Sequence, residues 1–88
     1  MSYFLATENG YADDFSSATG TCAFCDWAGA ERGTELAKFC KEGFSEDPKA
    51  LVQDLTTHAP ALDPDVEELR QVLLAVAEKA EKIVILSG

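Results

Sequence analysis

At 88 residues the chain makes one domain, hiding roughly 60–65% of the surface its unfolded form exposes, with little stability in reserve and no need of disulfides. Sixteen acidic against seven basic residues leave a formal net charge of -9, a sign that repels nucleic acid and anionic membrane and draws basic partners inward. The longest unbroken apolar run, Val72 to Ala77, is too short to span a bilayer.

The charge is unevenly placed: Glu8, Asp13, Asp14, Asp26 and Glu31 all precede the first basic residue, Arg32. The opening Met1-Ser2-Tyr3-Phe4-Leu5-Ala6 has neither the basic region nor the long apolar core of a signal peptide, so a cytoplasmic protein is the expectation. Three cysteines, an odd number, fit reduced thiols better than a disulfide framework.

In chain order, Ser2 to Thr7 is short, aromatic-rich and bounded by Glu8-Asn9-Gly10, the pattern of a first strand. No alternating run follows Asn9-Gly10, so the turn is read as leading the chain away and not closing a hairpin. From Asp13 to Gly29 a helical stripe of Phe15, Ala18, Cys22, Cys25 and Ala28 or Gly29 emerges, with Asp13 or Asp14 as cap. Gly20 interrupts it at a cost of about 1 kcal/mol relative to alanine. The alternative is a loop through Gly20, with Thr21 capping a shorter helix from Cys22 to Ala28.

Glu31 to Gly43 forms the next helix, with Leu36, Phe39 and Cys40 on one face and Gly43 as its stop; Phe44 folds back on it. Ser45-Glu46-Asp47-Pro48 opens a third helix, whose apolar side is Leu51, Val52 and Leu55 and which ends near His58. After the linker Ala59-Pro60-Ala61, Asp63-Pro64 starts a long helix of about five turns carrying Val66, Leu69, Val72/Leu73, Val76 and Ala80. Ile83 to Leu86 then reads as a buried strand, stopped by Ser87-Gly88. The predicted fold is a single α+β domain over residues 1–88, in the order β-α-α-α-α-β. Its N- and C-terminal strands pair, helices cover them, and a second copy is able to extend the sheet at its free edge, giving a homodimer.

Cys22-Ala23-Phe24-Cys25 carries the most chemistry. Thiolates at this spacing share a zinc ion, and Cys40 with His58 would complete a Cys3His set; Asp26-Trp27-Ala28-Gly29 resembles the knuckle of a zinc ribbon in composition. On the helical stripe, Cys22 and Cys25 instead face the core as small apolar residues, which is the preferred reading, with no metal or other cofactor. A thioredoxin-like pair needs Cys22 at a helix start and a preceding strand, and the flanking Asp13, Asp14 and Asp26 oppose a thiolate. His58 falls at a helix C-terminus, where a proton is favoured.

If the cysteines face inward, Phe24 lies on another side of the helix, where it either packs in the core or is the best candidate for the aromatic anchor of an interaction surface with Asp13, Asp14 and Asp26. With no phosphate loop, nucleophile elbow or catalytic helix motif, the expectation is a small acidic non-enzymatic domain: an interaction, accessory or regulatory module for a basic protein partner. It binds neither nucleic acid nor membrane directly. The alternatives are a zinc-stabilised domain using Cys22, Cys25, Cys40 and His58, and an acidic mimic of nucleic acid.

Overall fold

A computed structural model describes all 88 residues. Strands β1 (Ser2–Thr7) and β2 (Gly10–Ser17) are followed by helices α1 (Ala18–Ala28) and α2 (Thr34–Glu42). The short strand β3 (Phe44–Ser45), helices α3 (Pro48–Thr57) and α4 (Pro64–Ala77), and strand β4 (Ile83–Ser87) complete the chain. The α+β class is as the sequence implies, and β1 pairs antiparallel with β4 in a register that sets Leu5 opposite Ile85. Both chain ends are tied into this pairing, since the Gly88 N–H donates to the Ser2 carbonyl at 3.1 Å.

The sheet has four strands, ordered β2-β1-β4-β3, and not two. Asn9-Gly10 does close a hairpin: Thr7 pairs with Gly10, and β2 runs back along β1 as far as Ser17 opposite Ser2. Register shifts fall between Tyr3 and Phe4 and between Leu5 and Ala6. The eight residues of β2 therefore meet six of β1, and the bulges break the period-two alternation by which a strand is recognised.

Because residues 10–17 are strand, α1 begins at Ala18, where the Ser17 hydroxyl accepts the Gly20 N–H at 3.1 Å. A Cβ at Gly20 would lie 2.0 Å from the Ser16 Oγ, so a larger residue there has to turn the Ser16 hydroxyl aside. The Gly29 N–H returns to the Cys25 carbonyl and ends the helix. Both readings of this stretch are corrected: the helix neither starts at Asp13 nor waits for a Thr21 cap.

Acidic side chains supply the remaining helix starts. Asp47 caps α3 by accepting the Ala50 N–H, and Asp63 caps α4 by accepting those of Asp65 and Val66. Helix α2 starts at Thr34, not Glu31, and its own cap position is Gly33, without a side chain. Asp54 of α3 substitutes, its Oδ2 accepting the Glu35 and Leu36 N–H groups, each at 3.1 Å. Gly43, at φ 82°, ends α2 in the left-handed conformation, and Phe44–Ser45 then joins the edge of β4.

Helix α4 spans 14 residues, about four turns and not five. Beyond it, Lys79 and Ala80 donate to Val76 and Ala77 in tighter turns, and the Glu8 carboxylate accepts the Glu81 and Lys82 N–H groups. The chain is thus drawn off the helix toward β4 by the tip of the hairpin. Leu5, Phe15, Phe24, Phe39, Leu51, Leu55, Leu73 and Ile83 form the body of the core between one face of the sheet and the helices.

Arg70, 7% exposed, closes the helical layer. Its Nε and Nη2 each donate to Glu67 at 2.7 Å, and its Nη1 donates to the Leu55 carbonyl at 3.1 Å. Glu67 also accepts from the Ala61 N–H and the Gln71 amide, both at 2.8 Å. Arg70, then Gln71 and the Ala61 N–H, hold the Glu67 carboxyl down at about 2. The folded chain therefore binds this proton more weakly than the unfolded chain does. The resulting stabilisation is complete above the ordinary glutamate range and is lost as pH falls toward about 2. Urea midpoints of the parent are expected to drop between roughly pH 5 and pH 2 more steeply than those of Glu67→Gln, and parallel curves would contradict this.

Candidate functional site

Strand pairing sorts the sheet residues onto two faces, because directly opposed residues point the same way and alternate residues share a side. Tyr3, Leu5, Ile83 and Ile85 face the helices: Leu5 and Ile83 belong to the core cluster, and the half-buried Tyr3 and Ile85 pack against it. Phe4 pairs with Leu86, and Ala6 with Val84 and Tyr11, while Phe44 also pairs with Val84. None of these six residues belongs to the core cluster, although the small Ala6 is itself buried. The helices thus cover one face of the sheet and leave the other open.

The open face is apolar along β1 and β4, with Tyr11 62%, Phe44 39% and Leu86 42% exposed. The Phe4 and Tyr11 rings stand 5.8 Å apart at 39°, which holds the Tyr11 ring over the sheet. The Tyr11 hydroxyl donates to Asp14 Oδ1 at 2.9 Å, and this bond to a carboxylate raises the phenol's pKa above its ordinary value. At the other end Ala6, Phe44 and Val84, with Thr7, Glu8, Ser45, Glu46, Lys82 and Ile83, line a shallow groove of about 250 Å³. The Lys38 ammonium lies 5.4 Å from the centre of the Phe44 ring, within cation–π range. Ser45 anchors this edge beneath the surface, its hydroxyl donating to Glu35 Oε2 at 2.5 Å.

The residues singled out in the sequence are dispersed. Phe24 is not an exposed anchor: it is fully buried, edge-on to Phe15 at 5.3 Å and 90°. The helical stripe was counted from Phe15, which lies on β2; once α1 starts at Ala18, Phe24 and Ala28 are its buried residues. Cys22 is accordingly exposed and is not core. Asp13 and Asp14 are exposed on β2, with Asp14 beside the open face, whereas Asp26 belongs to α1 in the helical layer.

Cys25 of α1 and Cys40 of α2 line one cleft together with Cys22. His58, the C-cap of α3, lines a different cleft with Trp27 and Arg32, where Arg32 stacks over the Trp27 ring and donates to its carbonyl. The four residues of the zinc alternative do not converge, and no group of three or more His, Cys, Asp or Glu side chains is placed to hold a metal ion.

Sequence reasoning missed Phe4, Tyr11, Phe44, Val84 and Leu86 as a surface, although it contained a signal. Tyr3-Phe4-Leu5-Ala6 and Ile83-Val84-Ile85-Leu86 are unbroken apolar runs. In an antiparallel sheet covered on one side, the outward positions are normally polar. Unbroken runs in such strands mean that the second face is apolar too.

The molecule is therefore a two-layer α+β domain, with helices packed on one side of an antiparallel sheet. No protein-family model, no curated protein and no solved structure matches the chain.

Proposed function

We propose that the protein is a non-enzymatic interaction module, accessory or regulatory in role and acting in the cytoplasm, whose open sheet face receives a basic amphipathic segment of a partner protein. The observation that carries this reading is the apolar face of Phe4, Tyr11, Phe44, Val84 and Leu86, outside the core cluster and with Tyr11, Phe44 and Leu86 exposed. Aromatic side chains on a rigid sheet make good anchors because little rotational freedom is lost on contact. Around them stand Glu8, Asp14 and Glu46, against Lys38 and Lys82. A partner with apolar residues on one side and Lys or Arg at its margins is complementary to both features.

A second copy of the chain fits less well. Each copy brings a net charge of -9, which opposes self-association. The sheet edges offer little to pair with: β3 is two residues long, and β2 is bulged and carries Asp13 and Asp14, devices that discourage edge-to-edge pairing.

The test is titration of the labelled protein with a synthetic peptide alternating Lys and Leu, followed through amide chemical shifts. Shifts are expected on β1, β3, β4 and around Tyr11 of β2, with affinity falling as salt is raised. In the Tyr11→Ser/Phe44→Ser double variant, affinity should drop about tenfold or more while the fold is retained. Equal binding by that variant, or by a peptide carrying Glu in place of Lys, would overturn the reading.

A further inference from the structure

The Cys25–Cys40 pair lies on the other side of the sheet from the open face and is independent of the reading above. Cys25 is on the third turn of α1 and Cys40 near the end of α2. Both are half-buried, on helices that pack against each other. They line a cleft of about 250 Å³ whose other walls include Tyr3, Phe15, Phe39 and Ile85, with exposed Cys22 also lining it. A small neutral molecule therefore has a path from solvent, between apolar walls, to two cysteines that line the same cleft.

We propose that Cys25 and Cys40 are a redox-active dithiol that a hydroperoxide closes to an intramolecular disulfide joining α1 to α2. The pair is asymmetric. Cys40 donates its S–H to Cys25, which lowers the Cys25 pKa, while burial and the nearby Asp26 charge oppose the shift more weakly. The same hydrogen bond, then burial, pushes Cys40 strongly upward. Cys25 is therefore the attacking sulfur and Cys40 the resolving one.

In the first step the Cys25 thiolate attacks one peroxide oxygen and the O–O bond breaks. The departing alkoxide takes a proton and leaves as an alcohol, and Cys25 becomes a sulfenic acid. In the second step the Cys40 sulfur attacks the Cys25 sulfur, the S–O bond breaks, and hydroxide leaves as water with the Cys40 proton. The two thiols together lose two electrons and two protons, and the hydroperoxide is reduced to an alcohol and water.

The test is exposure of the full chain to hydrogen peroxide, followed by denaturation, thiol counting and intact mass, using the parent and Cys22→Ser. Each is expected to become lighter by two hydrogens and to lose two titratable thiols. Trypsin should then release the segment containing Cys25 joined to Phe39-Cys40-Lys41, and separate it on reduction. Cys25→Ser and Cys40→Ala should each keep their remaining thiols under conditions that fully oxidise the parent, with far-ultraviolet circular dichroism confirming that they are folded. If either variant does not fold, the Cys22→Ser result alone decides. Retention of both thiols in Cys22→Ser, a mass gain of two oxygens in place of the loss, or a bridge between Cys22 and Cys25 in the parent would overturn the proposal.

Discussion

Phe24→Ala is expected to remove about 3–5 kcal/mol of folding stability, the range for emptying a fully buried aromatic site. The ring is wholly enclosed, with Phe15 edge-on at 5.3 Å and Trp27 at 5.6 Å. Those neighbours come from β2 and from the same helix, so neither is free to collapse into the space without pulling on the sheet or unwinding α1. A domain of this size holds about 4–13 kcal/mol in total, and the variant should therefore unfold at much lower urea concentration with an unchanged slope. Tyr11→Ala, at the exposed aromatic of the open face, should change stability by less than about 0.5 kcal/mol. If the two variants destabilise equally, the assignment of Phe24 to the interior and Tyr11 to the surface is wrong.

Gly33→Ala should cost about 3 kcal/mol through two separable effects. Gly33 sits at φ 110° and ψ 147°, a region that is essentially restricted to glycine and strains any other residue by about 1–3 kcal/mol. A Cβ there would also lie 2.0 Å from the Asp54 Cγ and 2.2 Å from its Oδ2, so the carboxylate must move. That carboxylate is the cap of α2, and losing a cap costs about 1 kcal/mol more. In an Asp54→Ala background the clash and the cap are both already gone. The glycine substitution should then cost only the backbone strain, a coupling that a double-mutant cycle in urea detects. Additive costs would show that the carboxylate is not what Gly33 makes room for.

The elements legible in the sequence were those whose signals are local. Asp47-Pro48 and Asp63-Pro64 place a capping carboxylate next to a proline that suits the first helical turn, and α3 and α4 begin there. Ser2–Thr7 and Ile83–Ser87 are strands with those limits, because their β-branched and aromatic residues are bounded by turn formers. Gly43 stops α2 as expected.

What was illegible depends on partners distant in sequence. The strand character of β2 is imposed by β1, and its bulges hide it. The start of α2 is fixed by a carboxylate 19 residues beyond Glu35. The phase of α1 could not be set without knowing that Phe15 belongs to the sheet, and that one error exchanged the roles of Phe24 and Cys22. The placing of Cys25 and Cys40 in one cleft depends on how two helices cross, which no spacing in either helix encodes.

The acidic excess also changes meaning once partners are known. Glu8, Asp47, Asp54, Asp63 and Glu67 all accept backbone N–H groups. Much of the charge that suggested only solubility or attraction thus finishes helix ends and ties loops together.

The central pair of the sheet is made by the first strand and the last. Its register sets Tyr3 opposite Ser87 and Thr7 opposite Ile83, and closing so long a loop is entropically slow. During synthesis the Ser2–Ser17 hairpin and the four helices all leave the ribosome before Ile83–Ser87, and until then β1 has a neighbour on only one side. The nascent chain must wait, with β1 paired on one side alone, for Ile83–Ser87 to emerge and lock into the middle.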